Sequence, residues 1–525
     1  MDDLTSAAPH IRSRFSRLGP VNDTDSRDDA ATEALHAALA LAMMSPAPPD
    51  SAEPSIPAGF TYLGQLVDHD LTMDATGAPL GVPLAVGDLV QGRAPVLDLE
   101  TLYGRGPLDP SDSRFYEPDG AHLRTGRTWA VAIDATTGAE LDGYDLPRAG
   151  HGFTRSARRI PVVPDPRDDE NLAVAQVHAA FIRFHNRVVD LLRADGTPGL
   201  ALFDRARDLV VAHYQWMLRT DFLPRILEPA VLEDVFTYGR RFVDVPGGTG
   251  TGSTSTMPVE FSMAAYRMGH AMVRNRYEWN RYHSSRSKPT GATLQELFAF
   301  TGTSGTLSPD SRIGDPDTGS FERLPTDWIV DMRRLFDFAE AGRADLAGPG
   351  VNLAKRIDTL LSIPLANLPA GAIPGQSVAS PDAMQRNLAF RNLTRARMVG
   401  LASGQQMARA LRVSVPLTAK QILTGAGGAT LDGLAPEQRR ALVADTPLWF
   451  YVLREAELNG GRLGAVGGRI VAEVFHRALE SGRVSILRDP SWRPTLGPDA
   501  TTFRMVDLLL FAFENKAELL NPLGD

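Results

Sequence analysis

The chain of 525 residues contains no cysteine. That absence excludes disulfides, thiolate nucleophiles, iron–sulfur clusters and cysteine-based zinc sites, and it favours a reducing compartment. No apolar run approaches the ~20 residues that cross a bilayer. The opening residues Met1-Asp2-Asp3-Leu4-Thr5 are acidic and lack an apolar core, so they do not read as a Sec signal. The expected location is the cytoplasm, or the exterior by a route that needs no such signal. Basic residues are in the minority, 54 Lys and Arg against 63 Asp and Glu, and a net charge of −9 argues against a nucleic-acid partner. What is present, 43% hydrophobic and 22% charged residues, is the composition of an ordinary globular protein.

The length alone suggests two or three domains, yet no clean linker divides the chain and no internal repeat is found. Residues 1–29 are polar, charged and punctuated by Pro and Gly, and read as an arm outside the core. A helix is expected from Ala30 to Met44, ended by the Pro-rich stretch Ser45 to Pro57. From Gly77 to Pro164 the Gly, Pro and Asp content predicts long ordered loops and short hairpins; loops of such length in a compact domain usually carry function. Helical periods then dominate. They predict helices over Asn171–Ala194, Ala201–Leu223, Ser262–Val273, Thr326–Ala341, Pro381–Arg412, Pro447–Leu458, Leu463–Glu480 and Thr502–Phe513. Gly247 to Thr256 has the look of a phosphate loop, but no Lys follows and no strand precedes it, so it reads as a connector. The expected fold is mainly α, with long ordered loops and few short strands.

Four segments carry chemistry. In Gly64-Gln65-Leu66-Val67-Asp68-His69-Asp70 a histidine stands between two acids on an apolar helix. Successive helical residues are rotated by ~100°, so Asp68 and Asp70 leave on opposite sides while His69 points between them. Taken alone, His69 also suits a surface or capping role. In Asp165-Pro166-Arg167-Asp168-Asp169-Glu170-Asn171 the first Asp is a good N-cap, Pro166 suits the first helical position, and Arg167 and Glu170 share a face. That segment alone also describes a solvated helix start. In Tyr266-Arg267-Met268-Gly269-His270-Ala271-Met272, Gly269 leaves room for a flat ligand beside His270, although a core histidine fits the same pattern. In Arg391-Asn392-Leu393-Thr394-Arg395-Ala396-Arg397, Asn392 and Arg395 stand three apart; an Asn carbonyl can orient a ligating imidazole, and a basic surface helix is the alternative.

In that order, these segments resemble the animal-type haem peroxidases of the peroxidase–cyclooxygenase superfamily, specifically their bacterial members. Gly64 to Asp70 is similar to the family's distal motif; Arg167 with Glu170, Arg267 with His270, and Asn392 with Arg395 agree with the family in type, spacing and order. Val177 to Arg187, Pro447 to Phe450 and Val466 to Ile470 extend the resemblance, which spans residues 55 to 515. It implies the family's helical fold, with an N-terminal arm and helix over residues 1–50 and a single catalytic domain over 51–520. It implies haem b, hydrogen peroxide as substrate, and a small organic electron donor. His270 would be the proximal iron ligand, oriented by Asn392. His69 would be the acid–base group and Arg167 the stabiliser of developing negative charge. Arg267 and Arg395 would pair with haem propionates. Asp68 and Glu170 stand where relatives form ester links to haem, and Asn171 replaces the methionine of a sulfonium link. Gln65 matches a residue near the halide site, which brings halide into the range of donors.

The resemblance also implies calcium, held by Asp70, Asp98, Glu100 and the Val96 carbonyl. Glu100 stands where Ser is commoner, and Ala94 where a Thr hydroxyl often contributes. His178 and His185, seven apart, fall in a structural helix rather than a metal site. No partners are identified for His10, His36, His122, His151, His213, His283 and His476. The rival readings are a fatty-acid dioxygenase, whose radical-forming tyrosine would stand where Arg267 is, with Tyr266 one position earlier; a natural-product tailoring oxidase; and an adhesive or haem-binding protein with incidental activity.

Overall fold

The computed structural model of the chain describes residues 13–22, 29–46, 55–244, 256–309, 321–369 and 383–525. Its frame follows the apolar spacing of the sequence. Leu172–Ala194, the longest helix among the described residues, buries Val174, Val177, Phe181 and Val188. Asn171 starts it by accepting from the Val174 N–H, an amide the helix itself cannot satisfy. Gly59–Leu71, Gly199–Met217 and Met505–Ala512 pack on this helix. One hydrophobic cluster, which also takes in Leu448–Leu458 and Gly467–Ser481, runs from Phe15 to Leu523. Strands are short and form three small sheets among the described residues. The fold is mainly α with long ordered loops, as the sequence predicts.

Four expectations need correction. The arm over residues 1–29 is not wholly outside the core: Ser13–Ser16 is the centre of a three-stranded sheet, antiparallel to Val90–Gln91 and parallel to Thr256–Pro258. Ser13 and Phe15 are buried there, and four residues are too few for alternation to stand out. The connector Gly247 to Thr256 lies outside the described residues except for Thr256, which opens a strand.

Ser262–Val273 is not one helix. Val259–Ser262 ends, a 3-10 turn covers Ala265–Met268, and Gly269–Met272 adds a single helical turn. Side chains take the backbone groups a continuous helix would use: Arg267 Nε donates to the Ser262 carbonyl at 3.0 Å, and Trp449 Nε1 donates to the Arg267 carbonyl at 3.2 Å.

Thr326–Ala341 is three separate 3-10 turns rather than one helix. Asp331 and Asp337 each accept from the amide two residues on, offering the backbone an alternative to the helix. Within Pro381–Arg412 the described part divides into a 3-10 turn, Ala383–Arg386, and two helices, Leu388–Met398 and Gly404–Ala410. Gly400 (φ 55°) turns the chain between the helices, and Ser403 with Gln406 forms the capping box of the second.

Candidate active site

The helices Gly59–Leu71 and Leu388–Met398, the Pro166–Asp169 3-10 turn and the broken Ala265–Met272 segment enclose one cavity of about 1400 Å3, its mouth included. Gln65, Asp68, His69, Arg167, Glu170, Arg267, His270, Asn392 and Arg395 all line it. Four stretches far apart in sequence therefore meet at one place.

His69 is buried near the end of its helix. Its Nδ1 lies 2.7 Å from an oxygen of Asp168, and its Nε2 has no protein partner among the described residues. Burial and the charge of Arg167 oppose protonation of the ring, but the hydrogen bond and charge of Asp168, with Asp165 behind, outweigh them and raise its pKa. Asp168 is held below the usual carboxylate range; burial opposes this, and His178 and His69 overcome it.

Arg167 is gripped by the buried Asp165, with Nε at 3.0 Å and Nη2 at 2.7 Å from the two carboxylate oxygens. Nη2 also donates to the carbonyls of His69 and Thr72. Nη1 is the nitrogen left without a hydrogen bond among the described residues. Glu170 lines the cavity with its pKa raised, because burial outweighs the attraction of His69 and Arg167. Asn171 Nδ2 donates to Gln65 Oε1 at 2.8 Å, so the residue that caps the long helix also tethers the glutamine.

His270 is held neutral: burial and the Arg267 charge push its pKa down to about 3. Asn392 reaches it, but with the opposite group to the one expected. The amide nitrogen lies 2.9 Å from His270 Nδ1, while Oδ1 accepts from Arg267 Nη1 at 2.6 Å. The guanidinium claims the carbonyl because a charge-assisted hydrogen bond is the stronger one. Arg267 and Arg391 are each lowered to about 10 by burial and by repulsion from Arg395. Arg395 has Asp74 at 4.0 Å. This wall of the cavity is thus strongly cationic.

Asp70 leaves the helix on the far side, fully buried, and accepts from the Leu99 and Thr101 amides and the Tyr214 hydroxyl. Burial and the neighbouring Asp98 charge push its pKa well up, and burial and Glu100 push Asp98 up to about 7. Oδ1 of Asp98 is buried without a partner. Glu100 turns instead to Arg93 at 3.3 Å and to the Ala94 amide at 3.0 Å. Leu99 between them adopts φ 59°, a strained conformation for a residue with a side chain. The expected set of Asp70, Val96, Asp98 and Glu100 is therefore adjacent but not assembled. Among the described residues no group of three or more His, Asp or Glu side chains is arranged to hold a metal ion.

Sequence reasoning misses Asp165 as a clamp, Asp168 as a partner of His69, and Arg391 as part of the cationic wall. The density of acids around Arg167 was the available signal for the first two. His178 is tied to the site as well, 2.8 Å from Asp168, whereas His185 bonds to Tyr103 and the Ala121 carbonyl. His122, His213, His283 and His476 all have structural partners: Asp119 and Asp190, the Leu209 carbonyl, Asp327 and Arg240.

A family model for animal haem peroxidase matches residues 90–309. That range includes Arg167, Glu170, Arg267 and His270, and leaves His69 and Asn392 outside. Thyroid peroxidase of Rattus norvegicus is 30% identical over 195 residues, covering 35% of this chain and 19% of that protein. A peroxidase-like protein of Margaritifera margaritifera is 37% identical over 117 residues, covering 21% and 14%. The matches thus span about a fifth or less of the relatives' length. Peroxidase A of Dictyostelium discoideum shares the fold with TM-score 0.58 at 16% identity, over 97% of this chain and 94% of that one. The fatty acid alpha-dioxygenase of Oryza sativa shares it with TM-score 0.55 at 15% identity, over 97% and 80%. Residues 90–309, which carry the segments of Arg167 and His270, thus match the animal haem peroxidase family model, and the chain shares its fold with a peroxidase along nearly its whole length.

Proposed function

We propose that the chain reduces hydrogen peroxide with a haem b held in this cavity, oxidising a small organic donor, and that residues 51–520 act as one catalytic unit. The family implies haem, and the residues suit it. Gly269 has helical backbone angles that any residue tolerates, yet a Cβ there would meet nothing within 4 Å. His270 is neutral, the form in which imidazole binds iron. The cationic wall suits a pair of carboxylates. His270 would hold the iron, and with Arg267 drawn off to a propionate, a half-turn of the Asn392 amide would free Oδ1 to accept the Nδ1 proton. Arg267 and Arg395 would pair with the propionates. Asp68 and Glu170 are the candidates for ester links, and Asn171 gives no sulfonium. Bound there, haem would supply the redox chemistry that cleaves the peroxide O–O bond.

The protein's own part is proton and charge management. His69 Nε2 accepts the proton from peroxide and returns it to the departing oxygen. Arg167, clamped by Asp165, offers Nη1 to the negative charge that develops. With Oε1 taken by Asn171, Gln65 keeps its amide hydrogens for an anion, which brings halide into the range of donors. Calcium between Asp70 and Asp98 would relieve their repulsion and tie this helix to the Val96–Glu100 loop.

One observation carries this reading: His69, Arg167, His270 and Asn392 line a single cavity with Nε2 and Nη1 unspent. The test is absorption spectroscopy and kinetics of the haem-loaded protein. A Soret band, peroxide-dependent phenol oxidation, and a loss of about 10²–10⁴-fold in kcat/KM on His69→Ala are expected. Absence of the band, or unchanged kinetics in the variant, would defeat the assignment; haem that resists acid–acetone extraction would report the esters. A fatty-acid dioxygenase is the second reading. It is favoured by Tyr266, which lines the cavity with its hydroxyl unpartnered, and oxygen uptake with linoleate would support it.

A further inference from the structure

Asp168 stands at the centre of a buried cluster. One of its oxygens lies 2.7 Å from His69 Nδ1. The other accepts the Thr101 hydroxyl at 2.5 Å and lies 2.8 Å from His178 Nδ1. All four side chains are buried, so water does not compete for these bonds. An ionised carboxylate can only accept, so each neighbour is a donor and each neutral imidazole carries its hydrogen on Nδ1. For His69 this leaves a lone pair on Nε2. An asparagine at 168 would offer one acceptor atom to three donors; a carboxylate satisfies all three. Thr101 and His178 also occupy the second oxygen, which keeps the carboxylate from swinging away from His69.

We propose that Asp168 is the positioning residue of this site: by accepting the Nδ1 hydrogen of His69 it fixes the ring's orientation and keeps Nε2 bare for proton transfer, braced by His178 and Thr101. This rests on His69 being the acid–base group of the proposed function.

The test is cyanide association with the haem-loaded full chain, because hydrogen cyanide must give up a proton to a distal base as it binds and no electron donor is involved. His69→Ala and Asp168→Ala are each expected to slow association by at least about tenfold with the Soret band retained. In the His69→Ala background, Asp168→Ala should add no further loss. His178→Gln and Thr101→Val, which leave the His69–Asp168 bond in place, should lose far less than Asp168→Ala. If His69→Ala slows binding and Asp168→Ala does not, the positioning role falls. It falls also if Asp168→Ala costs the same with and without His69, or if the two brace variants lose as much. If His69→Ala changes nothing, the proposed function falls first. Should Asp168→Ala fail to fold, the unsubstituted protein decides. Histidine-selective 15N spectra of its ferrous carbonyl form, with His69 assigned by signal loss in His69→Gln, should show Nδ1 protonated and Nε2 bare. The opposite tautomer would overturn the proposal.

Discussion

Both carboxylate oxygens of Asp165 hold the Arg167 guanidinium, at 3.0 Å from Nε and 2.7 Å from Nη2, while Arg93 holds the same carboxylate from the other side at 2.7 Å. The grip decides which nitrogen of Arg167 is left over. Asp165→Asn keeps the shape and removes the charge. It is expected to cost about 3–5 kcal/mol of stability, as for loss of one partner from a buried ion pair. It should also lower kcat/KM for peroxide by at least about tenfold. Thermal unfolding and steady-state kinetics check both; unchanged kinetics would mean the His69 and Thr72 carbonyls suffice to aim Arg167.

Asn392 sits between Arg267 and His270, so its chemistry should be felt at the iron. Asn392→Asp can accept from both neighbours and would make the imidazole more electron-donating, lowering the midpoint potential of the loaded protein. Asn392→Leu should raise it. Spectroelectrochemical titration reads the two directions, and coincident midpoints would separate Asn392 from the ligand's electronics.

Gly269→Leu places a side chain in open cavity at helical backbone angles, where Leu is the better helix former. Unfolding temperature should hold or rise while the haem content, measured by the Soret to 280 nm ratio, falls. Wild-type haem content would place the group away from this wall.

Asp70 and Asp98 have folded pKa values above those of an unfolded chain, Asp98 at about 7. The stabilising proton of Asp98 is fully bound below about pH 4 and lost as pH rises through about 7, and Asp70 changes in the same direction. In the absence of calcium the protein should therefore lose stability toward pH 8. Added calcium should raise the unfolding temperature more at pH 8 than at pH 6, where protons compete. Asp98→Asn should shrink that gain. Scanning fluorimetry with calcium or chelator measures it, and a gain independent of pH, or none, would remove the ion from these residues.

His185 and His213 behave with the opposite sign. Burial pushes both down to about 4, below the unfolded value near 6.5. Their contribution is complete above pH 6.5 and is lost as pH falls toward 4, by up to about 3 kcal/mol each. Urea unfolding of the parent and of His185→Gln at pH 7.5 and 5 should show a shallower pH slope in the variant. Equal slopes would mean His185 does not titrate on unfolding in this window.

The long helix after Asn171 is legible in the sequence because its apolar face repeats over 23 residues, and one cap suffices to start it. Thr326–Ala341 has similar spacing but forms turns, because Asp331 and Asp337 satisfy local amides that periodicity does not see. His69, Arg167 and His270 stand out through the residues beside them. Asp168 does not: its partners lie 99, 67 and 10 positions away, and the sequence shows only one more acid in a charged turn. Arg391 reads as a surface cation until the fold buries it.

Between Asp165 and Asn171 seven consecutive residues supply the clamp of Arg167, Arg167 itself, the partner of His69, a cavity carboxylate and the tether of Gln65. Such a segment cannot be exchanged in pieces. A graft from a relative, or a single-residue insertion, would displace every one of these contacts at once, so this stretch is the unit in which the site would have to be transplanted or redesigned.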